Sequence, residues 1–179
     1  MRNAEQLLTQ YAAYHRDRRN IATHFIGVPV IVFSVVLALA QVSLGAVHLA
    51  WIGIALASAW YIYLDRTLGM WMLAFLVLCG AIASIISAKT GVGLALLLAL
   101  ALFVGGWIVQ FIGHKYEGMK PAFVDDLIGL LVGPLFVTAE VLFMLGMKRE
   151  LQQSIEARVG PTLAARDGKP IGPASSLHA

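Results

Sequence analysis

Charge is what this sequence has least of. Only 13% of its 179 residues are Asp, Glu, Lys or Arg, whereas a soluble domain carries about 25%. Three stretches contain none at all: Ile21 to Leu64, Thr67 to Ala88 and Thr90 to Gly113. This deficit excludes an ordinary soluble domain and places the chain among membrane proteins. Cysteine is nearly absent too. Cys79 stands alone, mid-span, so no internal disulfide can form and redox compartment cannot be read from it. Strong zinc patterns such as HExxH are missing. No nucleic-acid motif is present, nor any basic run interleaved with aromatics, so no nucleic-acid partner is expected. The first twenty residues have no apolar core and no small-residue cleavage site, and are not expected to be a cleaved signal. No internal repeat is visible.

What remains is 59% hydrophobic, with a mean hydropathy of +0.80. A membrane-spanning helix needs about 20 apolar residues. The first charge-free run is long enough for two spans, and each of the others for one. The expected fold is therefore an all-α membrane protein with four transmembrane helices, near Ile21–Gln41, His48–Leu64, Thr67–Ala88 and Gly91–Gly113. Before them, Ala4, Leu8, Tyr11 and His15 recur at helical spacing, which predicts an amphipathic N-terminal helix on the membrane surface. "RDRRN" interrupts it, and Asn20 is placed to cap the first span. Pro29 predicts a kink in that span. Trp60, Tyr61 and Tyr63 beside "DR" read as an interfacial aromatic belt. A fifth hydrophobic element, "LIGLLVGPLFVTAEVLFMLGMKR", carries Gly133-Pro134 near its middle and Glu140 within it. It is expected to be kinked or re-entrant, since irregular backbone is tolerated at membrane depth where protein covers it. Residues 1–150 form one multi-pass domain in this reading. Residues 151–179, helical in pattern at first, end in a flexible tail rich in Gly, Pro and Ser.

Net charge is +3, and its placement reports topology. Arg16, Arg18 and Arg19 flank the first span and mark the cytoplasmic side. Counting spans brings His15, His24, His114 and Glu117 to that same face. His15 and His24, nine apart, fall on opposite sides of a straight helix, so they converge only if "RDRRN" bends the chain. His114 and Glu117 are three apart and share a helix face. Glu140, ionisable within an apolar stretch, is a functional candidate by default. Three imidazoles and a carboxylate suit iron or another first-row metal.

Blander readings accompany each residue. A histidine at a span end is often simply interfacial, and His48, on the opposite side, is assigned so. His178 lies in the tail. Glu117 could pair with Lys115 or Lys120, and Glu140 could be an interhelical hydrogen-bonding group. The arginines could enforce topology and bind lipid headgroups, or hold a carboxylate.

At these residues the chain resembles the DUF962 family of membrane proteins, whose characterised fungal member is an iron(II)-dependent 2-hydroxy fatty acid dioxygenase. The resemblance lies in "YHRDRRNIATHFIGVP", read as H-x4-N-x3-H-x2-G-x-P, in "QFIGHKYEGMKPA" and in "GPLFVTAE". It covers Leu7 to Met147. It implies an oxidoreductase of lipid metabolism that shortens 2-hydroxy fatty acids by one carbon, in fatty acid α-oxidation, with O₂ as co-substrate and Fe²⁺ as cofactor. Its histidines fall on His15, His24 and His114, with Glu117 or Glu140 as a fourth ligand or an orienting partner. Arg16, Arg19, Lys115 or Lys120 would steer the substrate carboxylate and Asn20 would position it, with the acyl tail among the spans and membrane lipids around them. The compact chain points to a bacterial inner membrane, or the endoplasmic reticulum in a eukaryote, with the metal site on the cytoplasmic side. Alternatives from other classes are a haem- or other metal-binding membrane protein and a non-enzymatic lipid-binding or transport protein. Oligomeric state is left open.

Overall fold

The computed structural model describes residues 2–124 and 126–163. Seven α-helices are present among them: α1 Ala4–Ala12, α2 Arg18–Leu39, α3 Leu49–Leu64, α4 Arg66–Lys89, α5 Val92–Glu117, α6 Gly129–Met144 and α7 Arg149–Val159. A two-stranded hairpin, β1 Ser43–Leu44 with β2 Val47–His48, turns the chain between α2 and α3. The chain divides into two compact units, one from Met1–Phe25 with Val109–Ala179, the other from Ile26–Ile108. The later tail, with His178, lies outside the described residues.

The second unit is the apolar one. Three helices, α2, α4 and α5, are long and apolar enough to cross a membrane. The predicted span at His48–Leu64 is α3, a shorter apolar helix of 16 residues. At 1.5 Å per residue it reaches about 24 Å, short of a hydrocarbon core of about 30 Å. The helical architecture expected from the sequence is thus present, with three candidate spans among the described residues and one bent pair, α6 with α7. α3 packs along α4. Gly69 permits the approach, because a Cβ there would overlap the Ile62 and Tyr61 backbone. Asp65 caps α4 by accepting from Leu68 N at 2.9 Å. On α5, Leu94, Leu97, Leu100 and Val104 are exposed, as a lipid-facing surface requires.

The first unit carries the polar groups. α1 begins with a capping box between Asn3 and Gln6, which satisfies two otherwise orphaned N–H groups. Its apolar stripe is buried through Leu7, Leu8 and Tyr11, against α6 and α7. The helix stops at Ala12, so His15 follows α1 instead of riding on it. α2 starts at Arg18, two residues before Asn20. Asp17 supplies the capping oxygen, accepting from Arg19 N at 2.8 Å, because it directly precedes the first helical residue.

The fifth hydrophobic element is bent, but not at its proline. α6 runs through Pro134, and the 114° break lies between α6 and α7. Gly146, at φ 74°, donates to Phe143 O, and Met147 donates to Leu142 O. This pattern closes a helix through a left-handed glycine.

Candidate metal centre

Three segments of the first unit converge on one point. His15 comes from the α1–α2 connection, His24 from the second turn of α2, and His114 from the last turn of α5. All three are buried, at 0%, 1% and 7% exposure. Each offers a ring nitrogen, and the three donor atoms lie within 4.8 Å of one another. The rings stand at 67–86° to each other, with centroids 4.4–5.2 Å apart.

Hydrogen bonding fixes what two of these rings present. His15 Nδ1 lies 2.8 Å from Tyr11 O, and His24 Nδ1 lies 2.9 Å from Asn20 O. A carbonyl only accepts, so each Nδ1 carries the hydrogen and each Nε2 carries a lone pair. Those two Nε2 atoms face each other at 3.0 Å. Two lone pairs so placed repel unless a cation lies between them and the third ring. Two ligands at a right angle about one metal ion, each about 2.1 Å from it, are themselves about 3.0 Å apart. His114 Nδ1 is buried with no hydrogen-bond partner among the described residues, so this ring too is uncommitted at one nitrogen. The donor set fits a first-row transition metal. It does not fit paired axial ligation of haem, where the two nitrogens would lie about 4 Å apart across the iron.

Burial, and then the neighbouring His24 and His114, hold the His15 pKa well below the ordinary histidine value. The ring is therefore neutral at pH 7, the form that binds metal. Tyr11 stacks on it with centroids 4.1 Å apart and planes 3° from parallel. Phe136 of α6 closes the same side, 5.5 Å from His15 and 5.1 Å from Tyr11. Burial pushes the Tyr11 hydroxyl well above its usual pKa, so this wall is uncharged.

Glu117 ties the three segments together. Its carboxylate accepts from Arg16 N at 3.1 Å, Asp17 N at 2.9 Å and Asn20 Nδ2 at 3.0 Å. It thereby joins the end of α5 to the loop behind His15 and to the residue whose carbonyl holds His24. Close approach of α5 to α2 depends on Gly113, where a Cβ would overlap Thr23 Oγ1 and Asn20 Oδ1.

The other predicted site residues are placed as follows. Glu140 lies 4.0 Å from the Arg16 guanidinium. Neither Glu117 nor Glu140 belongs to the donor cluster. Arg16 is 1% exposed and engaged with protein. Its Nε donates to Ala12 O and His15 O, and Nη1 donates to Gly160 O. Burial lowers its pKa, against the pull of Glu140 and Glu117. Asn20 is fully buried beside Glu117. Arg19 is partly exposed, paired with Asp17 at 2.8 Å and set over the Tyr116 ring at 4.7 Å. Lys115 and Lys120 are exposed. His48 lies outside the cluster, 3.2 Å from Ser43 Oγ. Sequence reasoning missed Tyr11 and Phe136 as walls of the centre. The four-residue spacing from Tyr11 to His15 was the available signal.

A model of the 2-hydroxy-palmitic acid dioxygenase Mpo1-like family matches residues 1–145. Among curated proteins, the chain is 34% identical over 149 residues to the 2-hydroxy-palmitic acid dioxygenase MPO1 of Saccharomyces cerevisiae (strain ATCC 204508 / S288c). The alignment covers 82% of this chain and 83% of the yeast protein. No solved structure matches. The chain belongs to the Mpo1-like family.

Proposed function

We propose that this Mpo1-like protein is a multi-pass membrane dioxygenase, dependent on iron(II), that shortens 2-hydroxy fatty acids by one carbon. The observation that carries this reading is the pair of imidazole lone pairs facing each other 3.0 Å apart, with a third ring beside them. His15, His24 and His114 would hold the metal. Ferrous iron, when bound there, would supply activation of O₂ and a Lewis-acid seat for the substrate's vicinal hydroxyl and carboxylate oxygens.

The remaining residues prepare that seat. The carbonyls of Tyr11 and Asn20 set the tautomers of His15 and His24. Glu117 orients the imidazole-bearing segments and is not itself assigned as a ligand. Tyr11 and Phe136 exclude water from one side. Arg19, Lys115 and Lys120, at the rim, draw the substrate carboxylate towards the membrane surface. Arg16 and Asn20 hold the loop in place. The acyl tail remains in the bilayer beside apolar helices, so only the polar head approaches the metal. The metal site is assigned to the cytoplasmic face because the arginines cluster there.

Purified protein with ferrous iron, O₂ and 2-hydroxypalmitate should release a fatty product one carbon shorter. If iron is bound stoichiometrically and no shortened product forms, the substrate assignment is wrong.

A further inference from the structure

One buried amide stands outside the three-histidine centre and its carboxylate clasp. Gln110 lies in the charge-free part of α5 and is 3% exposed. Its side-chain Nε2 is buried with no hydrogen-bond partner among the described residues. An unpaired buried N–H is costly, and in an apolar segment water offers little relief. Gln41 shows the contrast. Its amide is committed to structure, donating to Leu37 O at 2.9 Å and Ser87 Oγ at 2.6 Å.

Position gives the orphan its meaning. Gln110 and His114 are four residues apart on one helix, so they share a face about 6 Å apart along the axis. The amide therefore belongs to the side of α5 that bears the third imidazole, one turn further from the helix end. Of the polar groups beside the centre, the side-chain N–H donors of Arg16 and Asn20 are engaged, while Asn20 Oδ1 and His114 Nδ1 are acceptors without a partner among the described residues. Arg16 serves three carbonyls, and Asn20 donates to Glu117 while its Oδ1 lies against Gly113. A donor held unpaired beside an oxygen-binding centre matches the acceptor oxygens of a 2-hydroxy acid.

We infer that Gln110 is a substrate-positioning residue whose amide donates to the hydroxyl or carboxylate oxygen of the 2-hydroxy acid at the three-histidine centre. The inference rests on the proposed function and adds a specificity determinant to it. A site that offers a hydrogen bond to a substrate oxygen discriminates against a ligand lacking that oxygen. Gln110 would thus help separate 2-hydroxy acids from plain fatty acids.

The test uses zinc-loaded protein, which binds without turnover. Affinity for 2-hydroxypalmitate and for palmitate is measured calorimetrically in one detergent, on wild type and Gln110→Leu, together with zinc content and Tm. The expected result is a wild type that prefers the hydroxy acid. Gln110→Leu should lose about 10- to 100-fold in affinity for it, the scale of one hydrogen bond to a charged group. Zinc content should be unchanged, and Tm equal or higher, because a buried orphan donor is gone. Equal hydroxy-acid affinity in the two proteins overturns the inference, as does a variant that loses zinc or melts earlier. A wild type that neither binds nor shortens the hydroxy acid overturns the proposed function with it.

Discussion

The two units of this chain bury very different things. In residues 26–108 the buried polar side chains among those described are two serines, Ser34 and Ser58. In the other unit they include three histidines, an arginine, an aspartate, a glutamate and two amides. Both units are built from helices, so helix formation does not separate them. The difference is satisfaction. Ser34 spends its hydroxyl on its own helix, donating to Ile31 O, and nothing else nearby depends on it. Glu117, by contrast, accepts from groups about 100 residues away in sequence. One unit is held by close helix contact and lipid exposure. The other is a connected polar network, in which removing one member leaves several buried groups unpaired.

That contrast can be broken experimentally, and the largest effect is expected at the histidines. Alanine at His15, His24 or His114 should abolish stoichiometric metal binding and reduce shortening of 2-hydroxy acid to background, as metal analysis and product assay would show. Glu117→Gln should come next. It keeps the size but offers an N–H to groups that are themselves donors, so metal affinity should fall by about 10- to 100-fold. A competition titration with a chelator reads this directly. Gly113→Ala forces a methyl into Thr23 Oγ1 and Asn20 and should cost about 1–3 kcal/mol, seen as a lower Tm and a fall in metal content. Gly105→Ala, with open space at its Cβ position, should be silent.

A smaller effect is expected from pH. His15 has a depressed pKa in the folded state, whereas unfolded histidine titrates near 6.5. The unfolded chain therefore binds the proton first as pH drops. Metal-free protein should keep this contribution above about pH 6.5 and lose stability as pH falls below it. His15→Phe should flatten that slope. The smallest effect belongs to the apolar unit. Ser58→Ala removes a buried hydroxyl that has no partner among the described residues, and should leave Tm unchanged or slightly raised.

Much of this contrast was legible in the sequence. Charge-free runs marked the helices, because a bilayer penalises charge whatever the tertiary packing. Counting spans suggested that His15, His24 and His114 could meet, and their donor atoms do lie within 4.8 Å of one another. The details that escaped depend on long-range geometry. The sequence leaves Glu117 as a ligand, an orienting partner or a lysine partner; its bonds appear only once α5 is seen beside the start of α2, where the carboxylate accepts from Arg16 N, Asp17 N and Asn20 Nδ2. Arg16 reads as a surface cation, yet the segment after α7 packs over it, with Leu163 N donating to Arg16 O at 2.7 Å. The break in the last hydrophobic element was assigned to Gly133-Pro134, the stronger local signal. Gly146 makes the break instead, because a helix terminates readily where glycine adopts positive φ, whereas a proline can be absorbed when neighbours cover the freed carbonyl. Gly133 sits instead against Tyr11 Oη, where lack of a side chain serves packing.

Metal content of gently purified protein tests the central claim most directly. Wild type should carry about one first-row metal ion per chain with imidazole-nitrogen ligands by X-ray absorption, and each single histidine-to-alanine variant should lose it while Ser58→Ala keeps it. A folded wild type that takes up no metal, or histidine variants that retain it in full, would contradict the account.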